Sequence, residues 1–370
     1  MSVIVVQCIA KLELGGAQKR VIELMRELGK KGFLITGESG ELYYDVKKEF
    51  CERHITLPSL KREINLFYDI ICFFKLRNIL IRLYRTSDRI ILHTHGSKAG
   101  VIGRLVSGTL PFVCSVHTVH GFAINPYVSF FKRFIYLNAE RISALFGDVI
   151  ITQAKIHIER LKEWGIGRKN RLIWIANSIN YSDYKFSSRQ SKKTEIIIGT
   201  VANFKPQKNP FIWAEVAKKV SYKYPQTKFI YVGEGPLKKK TEELIGDYKR
   251  IEFLGWRENI PEILRKTDIF FLPSRWEGLP RTVLEAMASG IPVVASSVDG
   301  TTETVLNSVT GYLLPPCDSE GYVEKLSELI ENEKMRKEMG RKGRQRVEEF
   351  FCYKKMIKKT MKVYKSLEFT

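Results

Sequence analysis

Apolar residues recur along the chain at two different periods. Short continuous apolar runs, closed by glycine, asparagine or charge, read as strands covered on both faces. Stretches with apolar residues three and four apart read as amphipathic helices. Residues 3–9 form the first run, and a helix over 17–31 follows with Val21, Ile22, Leu24, Met25 and Leu28 as its apolar positions. The pattern then predicts a strand over 33–36, a helix over 45–53, a strand over 55–57 and a long helix over 66–85. Strands over 89–95 and 112–120 come next, each ending in histidines, so four of the six histidines stand at the carboxyl ends of successive strands. A helical segment within 125–146 precedes a strand over 148–152, a basic helix over 157–164 and a strand over 172–175. The polar run 180–193 reads as a linker, after which the pattern restarts with a strand over 195–201, a helix after Asn209 and strands opening at Lys228, Ile251 and Ile269. From Ser274 the order is loop, helix ending at Gly290, then strand, and helices fill the chain from Ser319, the last over 350–366. This alternation predicts α/β architecture with parallel sheets, which bind ligands outside the carboxyl ends of their strands.

At 370 residues the chain suits two domains rather than one core. The charge changes the picture: 61 Lys+Arg against 40 Asp+Glu give a net +21, which calls for an anionic partner such as phosphate, nucleic acid or an acidic membrane surface. The cysteines at 8, 51, 72, 114, 317 and 352 form no Cys-x-x-Cys pair and read as thiols of a reducing compartment. The first apolar run has no basic region before it and reads as a strand, not a signal peptide. The most apolar region, 64–84, carries Asp69, Lys75, Arg77 and Arg82 and does not read as a membrane span. A cytoplasmic protein is expected, with peripheral contact at the inner membrane face. No internal repeat or low-complexity segment occurs.

Candidate chemistry gathers in loops. Glu277 lies just ahead of the helix that ends at Gly290, and Glu285 lies inside it among Val283, Leu284, Ala286 and Met287. A carboxylate in apolar company needs a hydrogen-bonding partner, and a polyol would serve. Two carboxylates about two helical turns apart could hold two separated parts of one ligand. Gly15 and Gly16, at a strand-to-helix turn, let backbone amides approach a phosphate at the positive end of a helix, although the pattern is not the Gly-x-Gly-x-x-Gly of dinucleotide enzymes. Lys208, just before another predicted helix, would act on a pyrophosphate together with the helix dipole. A metal set built from His93, His95, His117 and His120 is weighed and set aside, because no nearby Asp, Glu or Cys completes it. No metal and no cofactor are expected.

Glu277-Gly-Leu-Pro-Arg-Thr-Val-Leu-Glu285, continued by Ala-Met-Ala-Ser-Gly-Ile-Pro-Val-Val-Ala, resembles the Glu-x7-Glu signature of the retaining glycosyltransferases of family GT4. The resemblance spans essentially the whole chain and implies the GT-B fold: two Rossmann-like doubly wound domains facing a central cleft. It puts the acceptor-side domain at 1–180, the nucleotide-sugar domain at 181–350 and a helix crossing back at 351–370. In that family the first Glu contacts the donor sugar and the second the ribose hydroxyls, which assigns those roles to Glu277 and Glu285, with Gly278, Leu279, Pro280, Arg281 and Thr282 around the donor. A Gly-Gly-Ala loop in the place of Gly15 and Gly16 faces the donor. The stretches His93-Thr-His95-Gly-Ser-Lys-Ala-Gly and Thr118-Val-His120-Gly-Phe are typical of bacterial members, and the second places His120 beside the sugar and the reacting centre as the catalytic candidate. Gly233 in a glycine turn, and Trp256 and Arg257 near the expected base, complete the set. The chain departs from the family at Asn203, where an Arg is usual, and either Lys205 or Arg281 could replace that cation. Asn177-Ser-Ile-Asn180 stands for the usual Asn-Gly-x-Asp, and 298–303 for a Gly-x-x-Glu loop.

The expected partners are therefore a nucleotide-sugar donor, a UDP-sugar in the first instance, and a glycan or lipid-phosphate-linked acceptor. An anionic membrane surface is the third, met by an aromatic-basic segment, Tyr127, Phe130, Phe131, Lys132, Arg133 and Phe134, that reads equally as an interfacial helix or as a core helix with a basic face. A same-fold synthase with a soluble acceptor is the alternative. A nucleic-acid-binding protein rests on charge alone and lacks a recognition motif, so no nucleic acid is expected.

Overall fold

The computed structural model describes residues 2–122, 124–125, 127–167, 171–186 and 195–368. They divide into two compact units, Met1–Ala176 with Ile357–Thr370, and Asn177–Met356. The first division falls ahead of 180 because buried Ile179 is already paired with the second unit: its N–H donates to the Phe351 carbonyl, and it bridges Cys352. Of the expected linker 180–193, residues 187–193 lie outside the described residues.

The first unit is a parallel sheet of β1 (Val3–Ile9), β2 (Gly32–Thr36), β3 (His54–Thr56), β4 (Arg89–His95), β5 (Val113–Val119), β6 (Val149–Thr152) and β7 (Arg171–Trp174), in the order β3-β2-β1-β4-β5-β6-β7. Its helices are α1 (Gly16–Leu28), α2 (Tyr43–Phe50), α3 (Leu66–Tyr84), α4 (Ser97–Ser107), α5 (Phe130–Ala144) and α6 (Lys155–Glu163). Val21, Ile22 and Met25 of α1 share one core cluster with Tyr43, Val46 and Phe50 of α2. Cys72, Leu76 and Leu80 of α3 and Ala99, Ile102 and Val106 of α4 build another against β1 and β4. Helices on both faces explain why the strands read as unbroken apolar runs.

Helix α4 has no counterpart among the elements expected from the pattern. Its inner face is made of glycine as much as of apolar residues: a Cβ at Gly100 would stand 2.3 Å from His117 Cε1, and one at Gly103 2.4 Å from Thr94 Cγ2. Close helix-to-sheet approach thus adds to the short apolar stripe of Ala99, Ile102 and Val106. The segment within 125–146 becomes helical only at Phe130, and every residue from 130 to 135 is exposed. Its first turns are not a core helix.

The second unit carries β8 (Ile196–Val201), β9 (Thr227–Val232), β10 (Ile251–Gly255), β11 (Ile269–Leu272), β12 (Val293–Ser296) and β13 (Gly311–Leu314), parallel and in the order β10-β9-β8-β11-β12-β13. Around them lie α7 (Pro210–Lys223), α8 (Lys238–Ile245), α9 (Ile260–Lys266), α10 (Arg281–Ala288), α11 (Thr301–Thr304), α12 (Ser319–Glu331) and α13 (Glu333–Phe350). Helix α14 (Tyr353–Leu367) starts in this unit and ends in the first. Each sheet reverses its strand order once, between β1 and β4 and between β8 and β11. At such a point the connections leave in opposite directions and open a crevice for ligand.

Candidate functional site

In the second unit the loops that leave β8 and β11 are tied together. The backbone N–H of Arg275 donates to the Gln207 carbonyl at 2.8 Å, and Gln207 Nε2 donates to the Trp276 carbonyl at 3.0 Å. This brings Lys208 Nζ to 2.5 Å from Glu277 Oε1, with the Glu277 side chain 5% exposed and that of Lys208 18%. Lys208 lies in a single 3-10 turn, Pro206–Lys208, ahead of α7, and its charge is matched by Glu277. The Glu277 loop is fixed from beneath as well. Its N–H donates to Asp299 Oδ2 at 3.1 Å, Gly300 N–H donates to the Gly278 carbonyl at 2.9 Å, and Asn177 Nδ2 donates to the Leu279 carbonyl at 3.2 Å. Across a trans peptide the carbonyl and the next N–H point oppositely. With the Gly278 carbonyl held by Gly300, the Leu279 N–H is turned away from that contact.

Glu285, on α10, is buried, and its carboxylate is held by Arg281 Nε at 3.4 Å and by the Tyr184 hydroxyl. Burial, and then the Glu285 charge, push the Tyr184 phenol well above its usual range, so it stays a neutral donor to the carboxylate. Arg281 is committed here, which bears on its candidacy as the cation missing at Asn203. Near Glu277, burial of Tyr231 and the Glu277 charge likewise keep the Tyr231 phenol protonated. The sequence pattern gave no role to Tyr184 or Gln207, and Asp299 appeared in it only within the 298–303 motif, because each meets its glutamate from a distant segment. Asn177 was visible only as a motif position.

The other expected donor residues are placed less centrally. Thr282 is half-buried on α10, and Asn203 and Lys205 are half-buried in the β8 loop. Gly233 has φ of +147°, and a Cβ there would stand 2.0 Å from the Ala202 carbonyl oxygen, so backbone approach between the β8 and β9 loops demands glycine. Trp256 and Arg257 are exposed and follow β10 at the sheet edge, away from the β8–β11 reversal.

In the first unit Ile9 of β1 pairs with His95 of β4, which sets the loop of Gly15 and Gly16 and the histidines around one strand reversal. Gly15 caps α1, whose first turn holds no acidic residue, so the positive end of the helix is not offset locally. His93, His95 and His117 are buried and His120 is half-buried just past β5. His95 Nδ1 and His120 Nε2 are 2.9 Å apart, Gln153 Nε2 is 2.9 Å from His120 Nδ1, and Thr94 Oγ1 is 2.9 Å from His117 Nδ1. Burial first, and the Arg20 guanidinium second, push His120 down to about 3. Burial also holds His93, His95 and His117 well below the ordinary imidazole range, with Arg20 contributing at His93 and Arg104 at His117. These rings bond to one another, to amides and to hydroxyls. Among the described residues no three His, Cys, Asp or Glu side chains gather as a metal site.

A family model described as "Glycosyltransferase Family 4" matches residues 14–182, and one described as "Glycosyl transferases group 1" matches 183–346. Among similar curated proteins, the UDP-Gal:alpha-D-GlcNAc-diphosphoundecaprenol alpha-1,3-galactosyltransferase of Escherichia coli is 30% identical over 95% of this chain and 94% of its own. The capsular polysaccharide biosynthesis glycosyltransferase CapM of Staphylococcus aureus is 23% identical over 89% of this chain and 88% of its own. Among solved structures, Anabaena Alr3699/HepE, in complex with UDP and glucose, superposes with a TM-score of 0.83 at 18% identity over 99% of this chain and 100% of its own. Two parallel Rossmann-like sheets, the Glu-x7-Glu loop and helix at a strand reversal, and a near full-length relative lead to one conclusion: the chain is an enzyme of glycosyltransferase family 4 with the GT-B fold.

Proposed function

We propose that this glycosyltransferase moves a hexose, with retention, from a UDP-sugar to a glycan acceptor carried on a lipid diphosphate, within polysaccharide biosynthesis at the inner face of the membrane. The observation that carries the donor half is the pair of buried carboxylates around α10, each held by its own partner: Glu277 by Lys208, and Glu285 by Tyr184 and Arg281. Glu277 takes the sugar hydroxyls, Glu285 the ribose hydroxyls and Lys208 the diphosphate. Gly278, Leu279 and Pro280 shape the loop between them. In the first unit, the amides at Gly15 and Gly16 and the ring of His120 serve the transfer step. The chemical demand is to stabilise charge on a departing diphosphate while the sugar becomes oxocarbenium-like. No metal or other cofactor enters this reading.

The acceptor half is supported by the name of the Escherichia coli relative, which acts on a diphosphoundecaprenol-linked sugar, and by a surface. Phe130 is 85% and Phe131 70% exposed at the start of α5, beside Lys132 and Arg133. Helix α3, which like α5 packs against α4, exposes Leu66, Phe67, Ile70 and Phe74. Exposed aromatics beside lysine and arginine suit an anionic lipid interface, where each basic residue contributes about 1 kcal/mol. No described helix is long and apolar enough to cross a membrane.

Two measurements test the proposal. UDP-hexoses should raise the melting temperature and be slowly hydrolysed; a panel in which UDP and every UDP-hexose leave the melting temperature unchanged refutes the donor assignment. The protein should sediment with anionic vesicles but not neutral ones, less so at high salt or with Lys132→Glu plus Arg133→Glu. Equal sedimentation with both vesicles would favour the soluble-acceptor alternative.

A further inference from the structure

The hydrogen bonds around His120 form one unbranched chain. Gln153 Nε2 is 2.9 Å from His120 Nδ1, His120 Nε2 is 2.9 Å from His95 Nδ1, and His95 Nε2 is 2.7 Å from Gln7 Oε1. Gln7 Nε2 then lies 3.0 Å from the Tyr364 hydroxyl, which is 2.5 Å from His93 Nδ1, and His93 Nε2 is 2.7 Å from Thr118 Oγ1. The chain therefore runs from the end of β6 through β5, β4 and β1 to α14 and back to β4 and β5. All these residues belong to the first unit, Tyr364 through the returning segment Ile357–Thr370.

Donor and acceptor rules give the chain a direction. An amide nitrogen only donates, and a neutral imidazole has one N–H and one bare nitrogen. Gln153 donates to His120 Nδ1, so the His120 proton sits on Nε2 and is given to His95 Nδ1. His95 must then carry its proton on Nε2 and give it to Gln7 Oε1. Gln7 Nε2 donates to the Tyr364 oxygen, whose own proton goes to His93 Nδ1, and His93 Nε2–H donates to Thr118. Every link is satisfied in this one direction. A proton on His120 Nδ1 would face the Gln153 N–H donor to donor, and the opposite direction needs both glutamine amides reversed together. Burial, which holds His93, His95 and His120 neutral, agrees with this arrangement.

We infer that this chain is a tautomer lock: it holds His120 as the neutral Nε2–H form, and Tyr364, from the far end of the sequence, is a positioning residue that keeps Gln7 oriented and so keeps His95 and His120 in register. The lock itself is a statement about protons. Its consequence for transfer rests on the proposed role of His120. Both His120 nitrogens are engaged in the chain, so a ligand reaches a ring nitrogen only by displacing Gln153 or His95.

The test is histidine ring nitrogen NMR on the full-length protein labelled with 15N-histidine, with Tyr364→Phe as the cut. Phenylalanine keeps the ring that packs edge-on against His93 at 5.6 Å between centroids and removes only the oxygen. The wild type should show His93, His95 and His120 all protonated on Nε2 and bare on Nδ1. Tyr364→Phe frees Gln7 to turn over, so that only Gln153 still sets the direction; His95 and His120 should become tautomer mixtures, and kcat should fall in proportion to the share of the Nε2–H form that His120 loses, about twofold for an even mixture. KM for the donor should stay unchanged. Gln7→Met cuts the same link from the other side and should act alike, which keeps the test decisive if one variant folds poorly. A wild-type His120 protonated on Nδ1, or tautomers of His95 and His120 untouched by both cuts, overturns the lock. Shifted tautomers with an unchanged transfer rate uphold the lock and overturn the catalytic reading of His120 instead.

Discussion

Replacing Lys208 by Met keeps length and apolar stem while deleting one charge, and the structure makes its consequences separable. Lys208 neutralises Glu277 at 2.5 Å, and the Glu277 carboxylate is buried, with Gln207 Nε2 also 3.5 Å from it. Breaking a buried pair costs about 3–5 kcal/mol when one charge is stranded. Since Lys208 retains some exposure, the lower end applies, and Lys208→Met should lower unfolding stability by roughly 3 kcal/mol. Adding Glu277→Gln removes the stranded charge and should recover most of that loss. Ligand affinity should follow a different rule. A charge-assisted contact to a diphosphate is worth about 1.5–3 kcal/mol, so UDP should bind roughly 10- to 150-fold more weakly. Uridine, lacking phosphate, should lose little, and the double variant should not regain UDP affinity. Calorimetry of both variants with UDP and uridine, paired with their denaturant unfolding, reads each of these quantities. Equal losses for UDP and uridine would remove Lys208 from the diphosphate, and an unchanged unfolding free energy would refute the energetic weight given to the ion pair.

Glu285→Ala should weaken UDP and uridine alike, because the ribose is common to both; intact UDP affinity with reduced turnover refutes the ribose assignment. Glu277→Ala should spare UDP affinity and lose discrimination among UDP-hexoses, an outcome that a parallel drop in UDP binding would contradict. His120→Ala should leave UDP binding intact and strongly reduce transfer, and near-normal transfer would return His120 to a structural part. The histidines also set a pH dependence. The folded His120 is depressed to about 3 against 6.5, so its contribution to stability is complete above 6.5. That contribution is lost as pH falls below 6.5, at about 1.4 kcal/mol per pH unit, because the unfolded chain takes up the proton first. His120→Gln should flatten the stability slope between pH 6 and 4 by that amount, and identical slopes in the two proteins would refute the burial argument.

Much of the fold was open to reading in the chain. Unbroken apolar runs imply strands covered on both faces, and the alternation of strand and helix implies a parallel sheet, since a parallel crossover needs a helix's length of chain. The strands at 89–95 and 269–272 are observed at those residues, and the paired glutamates could be seen because the loop and α10 that carry them are continuous in sequence. Helix α4 was hidden because its apolar stripe, Ala99, Ile102 and Val106, is short and interrupted by Gly100 and Gly103, which give close approach rather than apolar bulk. The first turns of α5 could be given either a core or a surface place from their composition, and their exposure depends on what packs beside them.

What periodicity encodes is whether a position is buried, and what local motifs encode is the geometry of a turn. Neither says which distant residue will stand opposite. Two α/β halves, a Glu-x7-Glu loop and helix, and four histidines at strand ends can therefore be read along the chain. That Lys208 meets Glu277, that Tyr184 and Arg281 share Glu285, and that Tyr364 joins Gln7 and His93 is visible in the folded chain alone. Those pairings follow from strand order, which places the loops after β8 and β11 side by side, and from the return of the last helix to the first unit. Strand order and chain return are set by the packing of whole elements against one another, a sum over many weak apolar contacts that no single stretch of the chain contains.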